Sequence, residues 1–146
     1  YFKIKKLFNL KETLLFSSNF RLYHDMSDRV MSLLADELPD MEKYSIDEAF
    51  VSIGLHENAF ELSKKIQQKI LHYTGIPVSI GIGPTKTLAK LANQKAKTLQ
   101  TTVYSHVTEK ERATLFAEIG VGQVRGIGRK MGEQLIAAHF LLCILY

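Results

Sequence analysis

Two acidic side chains, Asp47 and Glu48, stand next to each other inside Tyr44-Ser45-Ile46-Asp47-Glu48-Ala49-Phe50. Residues 41–46 alternate in polarity and residues 49–53 are rich in strand formers, so the stretch reads as a tight β-hairpin with the acids at its tip. On a regular strand neighbouring side chains point to opposite faces, so the pair can share one site only where a turn breaks the pleat. There they would offer hard oxygen donors. Mg²⁺ takes one or two carboxylates and completes its octahedron with waters and phosphate oxygens, which suits chemistry on nucleoside triphosphates. The plain alternative is a solvated turn.

A second group of residues suits anions. Gly81-Ile82-Gly83-Pro84-Thr85-Lys86 ends an apolar strand and opens a lysine-bearing helix, a place where phosphates bind. At about 100° per residue, Lys86, Lys90 and Lys97 fall within roughly 40° of one another, opposite Leu88, Leu91, Ala92 and Leu99. This is a phosphate-binding stripe or an ordinary exposed face. Lys95 falls among the apolar positions and is expected to extend to water. Near the end of the chain, Val124-Arg125-Gly126-Ile127-Gly128-Arg129-Lys130 places a Gly-x-Gly turn before a helix running through Leu135. Backbone N–H groups of such a turn, with Arg129 and Lys130 beside them, can hold a DNA phosphate without reading sequence. The pattern reads as a helix-hairpin-helix, with a simple interhelical turn as the alternative.

The elements that must position these groups follow from periodicity. Apolar residues at Leu22, Met26, Val30, Leu33, Leu34 and Leu38 predict an amphipathic helix over 20–38, entered through Ser18-Asn19 and stopped by Pro39. A second helix is expected over 57–73 until Gly75 and Pro77 break it, and further helices over 85–99 and 109–118, the last with Thr108 as N-cap. Strands are expected at 13–17, 77–82 and 101–104. The order is strand, helix, hairpin, helix, strand, helix, strand, helix, with no internal repeat. In strand 77–82 the small residues Ser79, Gly81 and Gly83 leave one face nearly bare, for tight packing or for close approach of a ligand or helix.

Composition narrows the function classes. At 146 residues the chain is one domain or a domain with a small appendage. The single Cys143 cannot form an internal disulfide, and the five histidines show no metal-ligand spacing with it, which argues against zinc. No signal peptide and no bilayer-spanning apolar run is visible, so no membrane association and a cytoplasmic location are expected. The net charge is +4, but eight acids lie between Asp25 and Glu48, whereas seven lysines and no acid lie between Glu61 and Glu109. An acidic site beside a basic segment is what a metal-dependent nucleic-acid enzyme needs.

Together these motifs resemble the Y-family translesion DNA polymerases. Tyr44 to Phe50 is similar to that family's Ser-Ile-Asp-Glu palm motif, and Gly81 to Asn93, continuing through Ala96-Lys97, resembles its palm helix. Phe16-Ser17-Ser18-Asn19-Phe20-Arg21-Leu22-Tyr23, then Met26-Ser27, and the Val-x-Gly-Ile-Gly turn bring the match nearest to the UmuC type, the catalytic subunit of bacterial polymerase V. The resemblance implies an α/β (α+β) fold, a ferredoxin-like palm sheet with helices on one face. It further implies a remnant of the fingers and palm junction over 1–20, palm over 21–118 and the start of a helical thumb over 119–146.

By the same resemblance Asp47 would bridge two Mg²⁺ ions, Glu48 would ligate the one that activates the primer 3′-hydroxyl, and Lys97 would reach the triphosphate of the incoming dNTP. Lys86 and Lys90 would contact phosphate or DNA. Gly126, Ile127 and Gly128, with Arg129, would hold the DNA backbone of the primer-template. Implied protein partners are a UmuD-type dimer, a sliding clamp and a recombinase filament. Several family features are not found: the first metal-binding aspartate, the fingers residues that clamp the triphosphate, the aromatic steric gate and the little finger. Thr98 stands where many members have proline, and the apolar tail 140–146 departs from the family pattern. The chain starts at Tyr1 and reads as a fragment, expected not to polymerise alone and to expose a palm-sheet edge that invites self-association. The alternatives are a nucleotidyl cyclase-like domain and a non-catalytic DNA-binding module.

Overall fold

A computed structural model of the chain describes residues 16–54, 58–105 and 108–138. The predicted strand at 13–17, the start of the second helix at Glu57 and the tail 140–146 fall wholly or partly outside them. The elements are α1 (Phe20–Glu37), β1 (Met41–Lys43), β2 (Ala49–Val51), α2 (Ala59–Thr74), β3 (Ile80–Ile82), α3 (Lys86–Thr98), β4 (Val103–Ser105), α4 (Glu109–Glu118), a 3-10 turn (Val121–Gln123) and α5 (Arg129–Ala137).

Local chemistry sets the helix ends. The side chains of Asn19, Asn58, Thr85 and Thr108 each accept a hydrogen bond from a backbone N–H in the first turn of the helix that follows. Glu111 returns the favour to Thr108 N–H, completing a capping box. Gly75 ends α2 in the left-handed region, at φ +71°, which costs glycine nothing. Among the described residues no helix is long and apolar enough to cross a membrane.

Two apolar clusters hold the elements together. Leu38, Ile66 and Ile70 are buried among Val30, Leu34, Leu62, Val51, Val78 and Ile80, joining α1 and α2 to the strands. Leu88 and Leu91 of α3 meet Leu115 and Phe116 of α4 and Ile119 in the second. The stripe predicted for α1 is used only in part. Leu22 is exposed, while Ser27 and Met31 are the buried positions. Lys95, partly exposed, extends to an exposed ion pair in which its ammonium meets Glu118 and bridges α3 to α4. Lys69 on α2 pairs with Glu37 on α1, a hydrogen bond that holds its ammonium above the ordinary lysine value against some opposing desolvation. The lysine's contribution to that link is therefore present at neutral pH and is lost as pH rises through the raised value.

The architecture is the expected mixture of helices and strands. Among the described residues the strands form two ladders. In one, β1 and β2 run antiparallel with Met41 opposite Val51 and Lys43 opposite Ala49. In the other, β3 and β4 are parallel, with Ile80 opposite Val103 and Ile82 opposite Ser105. Each strand is only three residues long, shorter than its apolar pattern suggested.

The bare face of β3 belongs to α3. A Cβ on Gly81 would stand 2.1 Å from the backbone nitrogen of Asn93 and 2.2 Å from the carbonyl oxygen of Ala89, and one on Gly83 would stand 2.8 Å from Ala89 nitrogen. Backbone cannot move aside as a side chain can, so any methyl at Gly81 must push helix and strand apart. Gly81→Ala is expected to cost about 3 kcal/mol or more. Gly120→Ala, where the nearest atom would be at 3.9 Å, should stay within about 0.5 kcal/mol. Urea unfolding midpoints of the two variants check this.

Candidate active site

The acidic tip is closed by its own backbone. The N–H groups of Tyr44 and Ser45 both donate to the carbonyl oxygen of Glu48, at 2.9 and 3.0 Å. The Ser45 hydroxyl donates to Asp47 Oδ1 at 2.7 Å and accepts from Asp47 N–H at 3.4 Å, a local motif that competes with continued strand pairing. A second anchor comes from outside the hairpin. The hydroxyl of Ser27, buried on α1, donates to the carbonyl of Ile46.

Strand period then decides which side chains meet. With Glu42 opposite Phe50 and Lys43 opposite Ala49, residues 42 and 44 share a face with residues 48 and 50. That face meets the lysines of α3. Glu48 lies 3.0 Å from Lys90 Nζ, both side chains 37% exposed, and Glu42 pairs with Lys86. Between the two acids the rings of Tyr44 and Phe50 sit edge to face, with centroids 5.5 Å apart. Lys90 Nζ lies 5.1 Å from the Tyr44 ring centroid and Lys86 Nζ 5.6 Å from that of Phe50. Asp47, one residue off this alternation, is exposed at the tip.

Of the three stripe lysines, two are therefore turned onto the hairpin. Lys97 stands about 10 Å further along the helix axis from Lys90, exposed and without an ion pair among the described residues. The Gly-x-Gly turn also reaches this face. Ile127 N–H donates to Val124 C=O at 3.0 Å and Gly126 has φ +89°, the pattern of a type II turn, which needs glycine at its third position. The preceding residue, Arg125, carries its guanidinium 4.7 Å from the Tyr44 ring centroid. Gly128 then starts α5 with no side-chain cap accepting from the first-turn N–H groups. Arg129 is exposed, 4.0 Å from Glu133 across one helical turn. The Cα of Gly122 would be 3.3 Å from a Cβ on Gly132, so α5 packs closely on the 3-10 turn.

As a donor set for a cation, the tip offers two adjacent carboxylates, one open to solvent and one shared with an ammonium. Hard oxygens of this kind fit Mg²⁺. Among the described residues no group of three or more His, Cys, Asp or Glu gathers as a metal site. Sequence reasoning found the acids, the lysines and the turn but missed Ser27, the ring pair and Arg125. The signals for Ser27 were its place in the Met26-Ser27 pair of the family-like stretch and a small polar residue between Met26 and Val30 on the packed side of α1.

The fold has counterparts of known structure. The chain superposes on Dbh DNA polymerase in its insertion ternary complex with a TM-score of 0.74 at 29% identity, over 85% of this chain and 37% of that one. DinB from Sulfolobus solfataricus gives 0.76 at 28% identity, over 88% and 38%. The fold is thus that of the palm region of the Y-family error-prone DNA polymerases. The model of the impB/mucB/samB family matches residues 1–94, and the chain belongs to that family. It is 41% identical to Protein UmuC of Salmonella typhimurium over 145 residues, covering 94% of this chain and 34% of the relative. DNA polymerase IV 1 of Halalkalibacterium halodurans is 36% identical over 122 residues, covering 82% and 29%. The chain spans about a third of the length of these curated relatives.

The buried hydroxyl on α1 gives the site a testable support. Ser27→Ala is expected to cost about 1 kcal/mol and to speed amide exchange at residues 45–48 about fivefold. Hydrogen exchange read by mass spectrometry checks this, and unchanged exchange at the tip would mean that Ser27 merely fills space.

Proposed function

We propose that this chain is the palm, with the start of the thumb, of a translesion DNA polymerase that adds nucleotides opposite damaged template bases. The observation that carries the reading is the acidic hairpin tip seated against the lysine face of α3, in a chain of this family. Residues 1–20 then belong to the junction with the fingers, 21–118 to the palm and 119–146 to the thumb.

Asp47 and Glu48 are the residues that would hold Mg²⁺. Two such ions, when bound, supply activation of the primer 3′-hydroxyl and charge neutralisation at the triphosphate. Lys90 orients Glu48 and balances its charge. Lys97, which has no carboxylate partner among the described residues, is the side chain assigned to the triphosphate of the incoming dNTP. Lys86, already paired with Glu42, has the lesser part in phosphate contact. Gly126 and Gly128 offer backbone N–H groups to the DNA strand, Ile127 between them closes the turn with its own N–H and so fixes the contact, and Arg129 adds a screened charge. Primer-template DNA and dNTP are the substrates on this reading. A UmuD-type dimer, a sliding clamp and a recombinase filament follow as partners from family resemblance, and a cytoplasmic location goes with them.

Grafted in place of the corresponding third of a curated relative, the chain should extend a primer across an abasic site with Mg²⁺. Asp47→Ala and Glu48→Ala should each slow that extension by roughly 10²-fold or more. Extension that survives both substitutions would sink the catalytic reading and leave a DNA-binding module. The isolated chain should neither extend primers nor make cyclic nucleotides.

Two short ladders, whose edges are unpaired among the described residues, also favour pairing between copies of the isolated chain. Sedimentation should therefore show association that grows with concentration. A monomer at every concentration would exclude it.

A further inference from the structure

Three cations crowd the Tyr44 and Phe50 rings, and they are not equivalent. Lys86 and Lys90 are each neutralised by an acid, Glu42 and Glu48. The third, Arg125, is half-buried and has no carboxylate partner among the described residues. Its guanidinium carbon lies 4.7 Å from the Tyr44 ring centroid and 5.4 Å from that of Phe50. A guanidinium is planar and weakly hydrated, so it can give up water to lie against aromatic faces where an ammonium does so less readily. Both sides of the contact are fixed. Hairpin register holds the rings, and the turn closed by Ile127 N–H to Val124 C=O holds Arg125 directly ahead of Gly126.

We propose that Arg125 is a positioning residue that docks the Gly126-Ile127-Gly128 turn onto the aromatic pair of the acidic hairpin. The turn's backbone N–H groups are thereby held at a fixed place relative to Asp47 and Glu48, so that a DNA strand gripped by the turn is indexed to the carboxylates. The guanidinium is committed to the rings and is not itself a phosphate ligand. The consequence for DNA rests on the proposed function of the turn; the docking does not.

Amide exchange and primer-template binding, measured on this chain with Arg125→Ala and Arg125→Lys beside it, test the two parts separately. Arg125→Ala should speed exchange over residues 120–128 about tenfold and leave α2 and α3 unchanged. It should weaken duplex binding about three- to tenfold with no change in the slope of log affinity against log salt, because no phosphate contact is lost. Arg125→Lys should recover less than half of either loss, since a lysine keeps the charge but stacks poorly. Unchanged exchange in Arg125→Ala overturns the docking whatever happens to DNA binding. A salt slope reduced by about 0.9, with binding restored by lysine, makes Arg125 a phosphate ligand and overturns the proposal. Faster exchange with no duplex binding in any form upholds the docking and overturns only the DNA reading of the turn.

Discussion

The approach of α3 to β3, backbone against backbone, is the constraint on which the rest of the site depends. Two glycines two residues apart present no side chain of their own to that seam, and at Gly81 the helix backbone comes to within a distance that no other residue would allow. The consequence reaches the chemistry directly. The same helix carries Leu88, Leu91 and Ala92 into the core and, on its other flank, Lys86 and Lys90 over the hairpin.

The hairpin is built to receive them. Its α3-facing side reads acid, ring, acid, ring across the two strands, because residues 42, 44, 48 and 50 all point one way. Acids satisfy the lysines and rings occupy the gaps, so a strongly charged surface forms without an isolated buried charge. Asp47 is left out of this compensation. It projects at the tip where, among the described residues, only the Ser45 hydroxyl donates to its side chain, while its neighbour Glu48 is tied down. Two carboxylates adjacent in sequence therefore have different surroundings, and the difference follows from strand alternation ending between them.

Much of this was legible in the amino-acid sequence, and the limits have physical causes. Helices with side-chain caps and long apolar periods were readable to within a residue or two, because the deciding groups are local; α4 with its Thr108 and Glu111 box is the clearest example. The hairpin and the placement of its acids were readable for the same reason. Strand lengths were not, since an apolar run such as 77–82 carries no mark of where its ladder partner stops. The bare face of β3 could be seen in the sequence, but its meaning lay in the distance to a helix that follows it. The pairing of Lys86 and Lys90 with hairpin acids was equally out of reach, because spacing within one helix says nothing about what faces it. Arg125 is the extreme case, a residue beside a motif whose partners lie some eighty positions earlier.

The strength of the Lys90 to Glu48 pair matters to what the site can do. Both side chains are more than a third exposed, and pairs of this kind are worth about 0–1 kcal/mol. Such a contact is enough to choose a rotamer and not enough to hold it against a stronger competitor. A divalent cation at the tip, carrying twice the charge and binding oxygen at about 2 Å, would outbid an ammonium for the same carboxylate. On the proposed function this is a useful weakness. Glu48 is kept oriented and its charge balanced at small cost, and the lysine that balances it lies on the helix that also carries Lys97. Displacing Lys90 from the carboxylate would then free a second positive group beside the first, on the face where a triphosphate is to bind.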